Sequence, residues 1–84
     1  SQEVALCLEQ ATVGASSPFT GRRLRDTGIR EETGLMVIAV RKPSADGEFV
    51  FNPLPDTKLE LGDELIVLGQ PDQIELLKRY AGEV

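Results

Sequence analysis

Between Phe49 and Gly69 the apolar positions fall into short runs broken by turn residues. Phe49 and Phe51 flank Val50 with the period of two that marks a strand. Asn52-Pro53 and Pro55-Asp56 end that strand, because proline removes a ladder donor and fixes φ. Leu59 and Leu61 then return toward the core at spacing two. Gly62-Asp63 is a turn dipeptide, and the run Leu65-Ile66-Val67-Leu68 after it predicts another strand, which Gly69 closes. The turn sets the register of that strand and asks Gly62 for a backbone angle that suits glycine.

Upstream, residues 3–13 predict a strand with Val4, Leu6 and Leu8 on one face and Ala5 and Cys7 on the other. The apolar parity changes near Gln10, since Ala11 and Val13 fall on the opposite face; a bulge or a strand covered on both sides gives this pattern. Residues 14–18 read as loop. Thr20 is placed to cap a short helix over 21–27, with Leu24 inward, Arg22, Arg23 and Arg25 toward water, Gly28 at the left-handed position beyond the end and Ile29 closing it. Residues 35–40 are six consecutive apolar residues, and a continuous run marks a strand covered on both faces. One of those faces is either fully internal or an interface with another subunit. Pro43 ends the strand, and Asp46-Gly47 turns the chain into an antiparallel hairpin with the Phe49 strand. Pro71 suits the first position of a final helix with Asp72 and Glu75 near its positive end and Lys78 and Arg79 near its negative end. Ile74, Leu77 and Ala81 form its apolar stripe, widened by Leu76 and Tyr80, and Gly82 stops it. The expectation is a small α+β domain over 1–84, in the order β-α-β-β-β-α, with a mainly antiparallel sheet and two helices.

Composition narrows what such a domain does. A chain of 84 residues buries only about 60–65% of its unfolded surface, so its core is thin and pairing with a second copy would help it. Fourteen acidic residues against nine basic give a net charge of −5, which argues against nucleic acid as a partner. No apolar run approaches the roughly 20 residues of a membrane helix, and no signal-peptide pattern is present. A lone Cys7 within an alternating strand reads as a small core hydrophobe and suits the cytoplasm. Without histidine there is no Ser-His or Cys-His pair and no usual zinc site. Glu31-Glu32 and Asp63-Glu64 sit in predicted turns, where solvated charge is the ordinary explanation, and no G-x-G-x-x-G loop occurs. An enzyme is not expected, and no catalytic or metal-ligating residue is assigned.

Three features carry functional weight. The 35–40 run is a candidate dimer surface. Arg41 at its end, with Asn52-Pro53 on the neighbouring strand, is suited to grip a phosphate and position a polar group. A strand-end charge paired with a carboxylate such as Glu48, beside a turn-forming Asn-Pro, explains the same residues. Phe49 and Phe51 read as core packing rather than as a base-stacking platform. The cluster of Arg22, Arg23 and Arg25 reads as a solvated face offset by Asp26, Glu31 and Glu32.

The ordered series Asn52-Pro53, Asp56, Leu59, Gly62-Asp63 and Leu65 through Gly69, preceded by Gly21, Leu24 and Val37-Ile38-Ala39-Val40-Arg41, resembles the TrkA-C domain. This is the C-lobe of RCK domains, the regulators of potassium channels and transporters, and the resemblance spans nearly the whole chain. It implies a cytoplasmic, ligand-sensing homodimer at the inner face of the membrane, an excised C-terminal part of a longer protein. Its implied partners are a Rossmann-type nucleotide-binding domain and a membrane potassium channel or transporter. The ligand implied by some members is cyclic di-AMP, lying across the two-fold. The matching positions are Val37, Ile38, Val40, Arg41, Asn52 and Pro53. Other readings are a purely structural assembly domain without ligand, a regulatory domain of another transporter class such as an antiporter, and a metabolite-binding enzyme subunit.

Overall fold

The computed structural model describes residues 5–81, so the expectations for Val4 and Gly82 lie outside the described residues. The elements are β1 (Cys7–Thr12), a 3-10 turn (Leu24–Asp26), α1 (Ile29–Thr33), β2 (Met36–Arg41), β3 (Phe49–Phe51), β4 (Glu64–Gly69) and α2 (Pro71–Tyr80). The strands form one antiparallel sheet in the order β1-β4-β2-β3. The α+β class, the β2–β3 hairpin and the final helix are as the sequence predicts.

β4 is central, and its alternation is clean. Leu65, Val67 and Gly69 are buried on one face, while Glu64, Ile66 and Leu68 are half-buried on the other. The buried face meets Phe19, Ile29, Leu35, Leu59, Ile74 and Leu77 in a single core. α2 supplies Ile74, Leu77 and Ala81 to it, as its period of 3.6 requires, whereas Leu76 stays exposed. Gln70 and Gln73 cap α2 reciprocally, with Gln70 N donating to Gln73 Oε1 at 2.8 Å. Tyr80 turns its edge on Phe19, ring centroids 4.9 Å apart, and its hydroxyl donates to the Thr27 carbonyl.

The irregularity in the strands lies in β2 and not, as expected, in β1. β1 pairs with β4 in unbroken register from Cys7 to Thr12, with no bulge at Gln10. Leu8 simply stands on the sheet face away from the core, and Ala11 on the core face. The bulge is in β2 instead. Val37 lies opposite Val67 and Ala39 opposite Ile66, so Ile38 is one residue extra. The extra residue lets Val37 and Val40 both face the core at spacing three, and Met36 and Ala39 both face away. The bulge thus sets the phase of the six-residue apolar run, sending Val37 and Val40 to the helical side of the sheet and Met36 and Ala39 to the opposite side.

The expected helix over 21–27 is not formed. Gly21 N donates to the Leu59 carbonyl at 2.7 Å, Leu59 N to Arg22 at 2.8 Å and Leu24 N to Thr57 at 2.7 Å, which commits this backbone to a bridge with residues 57–59. Only the 3-10 turn remains. The helix begins after it, with Gly28 at the start rather than beyond the end. The left-handed glycine that closes it is Gly34, whose N–H donates to the Arg30 carbonyl.

The Gly62-Asp63 turn is built as predicted at Gly62, which has φ +89°. Asp63 corrects the expectation of a solvated charge: it is 1% exposed. Its Oδ2 accepts from Glu60 N at 2.8 Å and from Lys42 Nζ, and Lys42 Nζ donates in addition to the Lys58 carbonyl at 2.7 Å. Val13 N donates to the Asp63 carbonyl, and Gly62 N to the Val13 carbonyl. Leu61, expected in the core, is exposed beside the turn, while Leu59 is fully buried.

Gly62→Val forces a β-branched residue to positive φ and is expected to destabilise the domain by more than about 1 kcal/mol. A thermal-unfolding midpoint equal to that of the parent would show that the turn does not need this angle. Lys42→Ala strips the buried Asp63 of its cation. The expected loss is about 2–3 kcal/mol, less than for a fully buried pair because the Lys42 side chain is itself partly exposed. Urea unfolding measures it, and an unchanged midpoint would mean that the pair is dispensable.

Candidate functional site

The register places residues on the sheet face away from the helices in three rows. Leu8, Leu68 and Met36 form the first; Gln10, Ile66, Ala39 and Phe51 the second; Thr12, Glu64, Arg41 and Phe49 the third. The first two rows are mostly apolar. Phe51 is 68% exposed, Leu8 65% and Met36 61%. Phe49 and Phe51 thus belong to this outer face and not to the core. Their period of two puts them on one side, and pairing with Arg41 and Ala39 decides which side that is. The third row is polar. Arg41 Nη1 pairs with Glu64 Oε1 at 2.5 Å, its Nε donates to the Gly47 carbonyl at 2.7 Å, and its guanidinium lies 5.8 Å from the Phe49 ring centroid. Gln10, from the second row, also donates to Glu64. The carboxylate partner of Arg41 is therefore Glu64 rather than Glu48.

The other end of the β2–β3 hairpin carries the Asn-Pro turn. Asn52 is left-handed at φ +52°, a conformation asparagine tolerates better than most residues. Its N–H donates to the carbonyl of the bulged Ile38 at 2.7 Å. Beside this turn is a recess of about 510 Å³, lined among others by Met36, Val37, Pro53 and Pro55, with Arg25 and Arg30 also on its wall. Arg25 is held by Asp56 at 2.6 Å, whereas Arg30 has no ion pair among the described residues.

The six sequence-predicted site residues therefore separate. Val37 and Pro53 share the recess, and Ile38 and Asn52 adjoin each other through a backbone hydrogen bond. Val40 is sealed in the core. Arg41 stands three residues from Ile38, roughly 10 Å along the strand, and is engaged elsewhere. Arg30, Met36 and Pro55 were not singled out in the sequence. Arg30 lies on α1, and no cue there pointed to α1, because the helix was expected earlier in the chain.

A model of the TrkA-C domain matches residues 8–82. The chain belongs to the TrkA-C domain family. Potassium channel protein 1 of Methanocaldococcus jannaschii is 42% identical over 57 residues, which cover 68% of this chain and 16% of that protein. The chain thus spans less than a fifth of this and another curated relative that it matches. Among solved TrkA-C (RCK_C) folds, the RCK_C domain dimer of S. agalactiae BusR in complex with c-di-AMP is similar with a TM-score of 0.81 at 22% identity, covering 92% of this chain and 97% of that one. The RCK C domain of the potassium transport protein KtrA, also in complex with c-di-AMP, has a TM-score of 0.74 at 26% identity, covering 88% of this chain and 81% of that one. TrkA-C domains are regulatory units rather than catalytic ones.

Proposed function

We propose that this TrkA-C domain is a dimerising, ligand-responsive regulator of potassium or other cation transport. The observation that carries the reading is the outer sheet face, where Leu8, Met36 and Phe51 stand exposed on a fold matched by a dimeric RCK_C domain. Full burial of such side chains contributes about 1.5–3 kcal/mol each, and a second copy supplies the cover that the helices do not. The partners in this reading are a Rossmann-type domain and a membrane channel or transporter on the cytoplasmic side. No helix of the described residues is long and apolar enough to cross a membrane.

The ligand in this reading is cyclic di-AMP, bound at the two-fold by Val37, Ile38, Asn52 and Pro53. Arg41 joins it only by leaving Glu64 and the Gly47 carbonyl. That commitment of Arg41 also favours a second reading, an assembly domain with no ligand, and binding measurements separate the two.

Phe51→Glu and Leu8→Glu place charges on the outer face without touching the core. Each is expected to give a folded monomer whose unfolding midpoint is lower than that of the dimer, because partner binding no longer adds to its stability. Sedimentation at high micromolar concentration is the check, and a monomeric wild type would remove the dimer from the reading. Asn52→Gly keeps the left-handed backbone and deletes only the side chain. It is expected to weaken cyclic di-AMP by about tenfold in calorimetry, the scale of one hydrogen bond to a charged group. No heat with the wild-type dimer would leave the assembly reading alone.

A further inference from the structure

We propose that the recess between residues 21–26 and Lys58 is a phosphate-binding site. It has a volume of about 470 Å³ and is lined by Gly21, Arg22, Arg23, Asp26 and Lys58. None of these residues lines the recess at Val37 and Pro53, so the two sites stand or fall separately.

The case begins with a local conflict. Arg23 and Lys58 are directly opposite in an isolated antiparallel bridge. Side chains so placed have Cβ atoms about 5 Å apart, and like charges there repel. The backbone gives them no way out, since hydrogen bonds from Gly21, Leu24 and Leu59 lock the two segments together. Arg22 adds a third cation on the same wall.

Shortage of carboxylates does not explain the conflict. The chain has fourteen acidic residues and nine basic ones. Arg25, Arg41, Lys42 and Lys78 each pair with a carboxylate. Among the described residues Arg22, Arg23 and Lys58 have no ion pair. Asp26, the one carboxylate on the wall, is not within ion-pair distance of any of them. Of the five cations without an ion pair among the described residues, three thus gather around one hollow. A local rule broken without a compensating contact in the chain points to a contact outside it.

Phosphate chemistry fits the donors. Guanidinium groups present forked N–H pairs that match phosphate oxygens, and an ammonium adds a point charge beside them. Together they neutralise a dianion, which a single carboxylate ligand would not require. Gly21 is left-handed at φ +80°, and a Cβ there would meet nothing within 4 Å, so that part of the wall is open to a ligand. A soluble phosphate ester and a phospholipid headgroup share this chemistry.

The test titrates the full chain with inorganic phosphate at low ionic strength and follows backbone amide NMR shifts. Shifts are expected at Gly21, Arg22, Arg23, Thr57 and Lys58. The double variant Arg23→Gln, Lys58→Gln is expected to bind phosphate at least tenfold more weakly. Its ligand-free unfolding midpoint should equal or exceed that of the parent, because the repulsion is gone; this shows that the variant is folded. Flotation with phosphatidylcholine vesicles containing phosphatidic acid distinguishes the sources. Flotation of the parent but not of the variant assigns a lipid headgroup, and phosphate binding without flotation assigns a soluble ester. Equal phosphate affinity in parent and double variant overturns the proposal, as does the absence of both phosphate shifts and flotation. Duplex DNA binding that needs Arg23 and Lys58, without any effect of phosphate, overturns it in favour of a polymeric partner.

Discussion

The buried carboxylate of Asp63 ties together parts of the chain that are distant in sequence. It closes the turn through Glu60, draws in Lys42 from the end of β2, and through Lys42 reaches the carbonyl of Lys58. Its own backbone carbonyl receives Val13 from the end of β1. A charge is held in the interior here because each of its bonds fixes a different segment, and removing any one leaves an unsatisfied group in low dielectric. The strand order β1-β4-β2 depends on it, since the turn it closes is the one that delivers β4 between its two neighbours.

Beyond that anchor the sheet presents the two surfaces that the proposed function uses. All the helical cover goes to one face of the sheet, so the other face presents its rows of side chains bare. The hairpin that leaves β2 carries a polar, internally paired end at Arg41 and an end with a half-buried proline and a recess at Asn52-Pro53. The two ends are chemically unlike, and the separation between them is set by strand length.

Much of this was legible in the sequence. The β4 alternation, the hairpin, the Pro71 helix and the demand on Gly62 are local properties, and local patterns report them directly. Positions decided by distant pairing were not legible. The segment 21–24 has the residues of a helix start, but its donors and acceptors go to 57–59, which no nearby residue announces. Phe49 and Phe51 show that they share a side, not which side. Asp63 looks like any turn aspartate until Lys42 is brought over it. At the candidate site the same limit applies: Val37 and Arg41 are four positions apart in one strand, but the recess reaches only Val37.

The extra residue in β2 divides its duties between two neighbours. With Ile38 removed, the pairing of Val37 with Val67 and of Ala39 with Ile66 would run on without a break. The inner layer of the molecule would not register the loss. What would go is the carbonyl that receives Asn52, and with it the contact that holds the hairpin's second turn against the strand. Ile38 is in this sense an insertion kept for the margin of the sheet rather than for its centre.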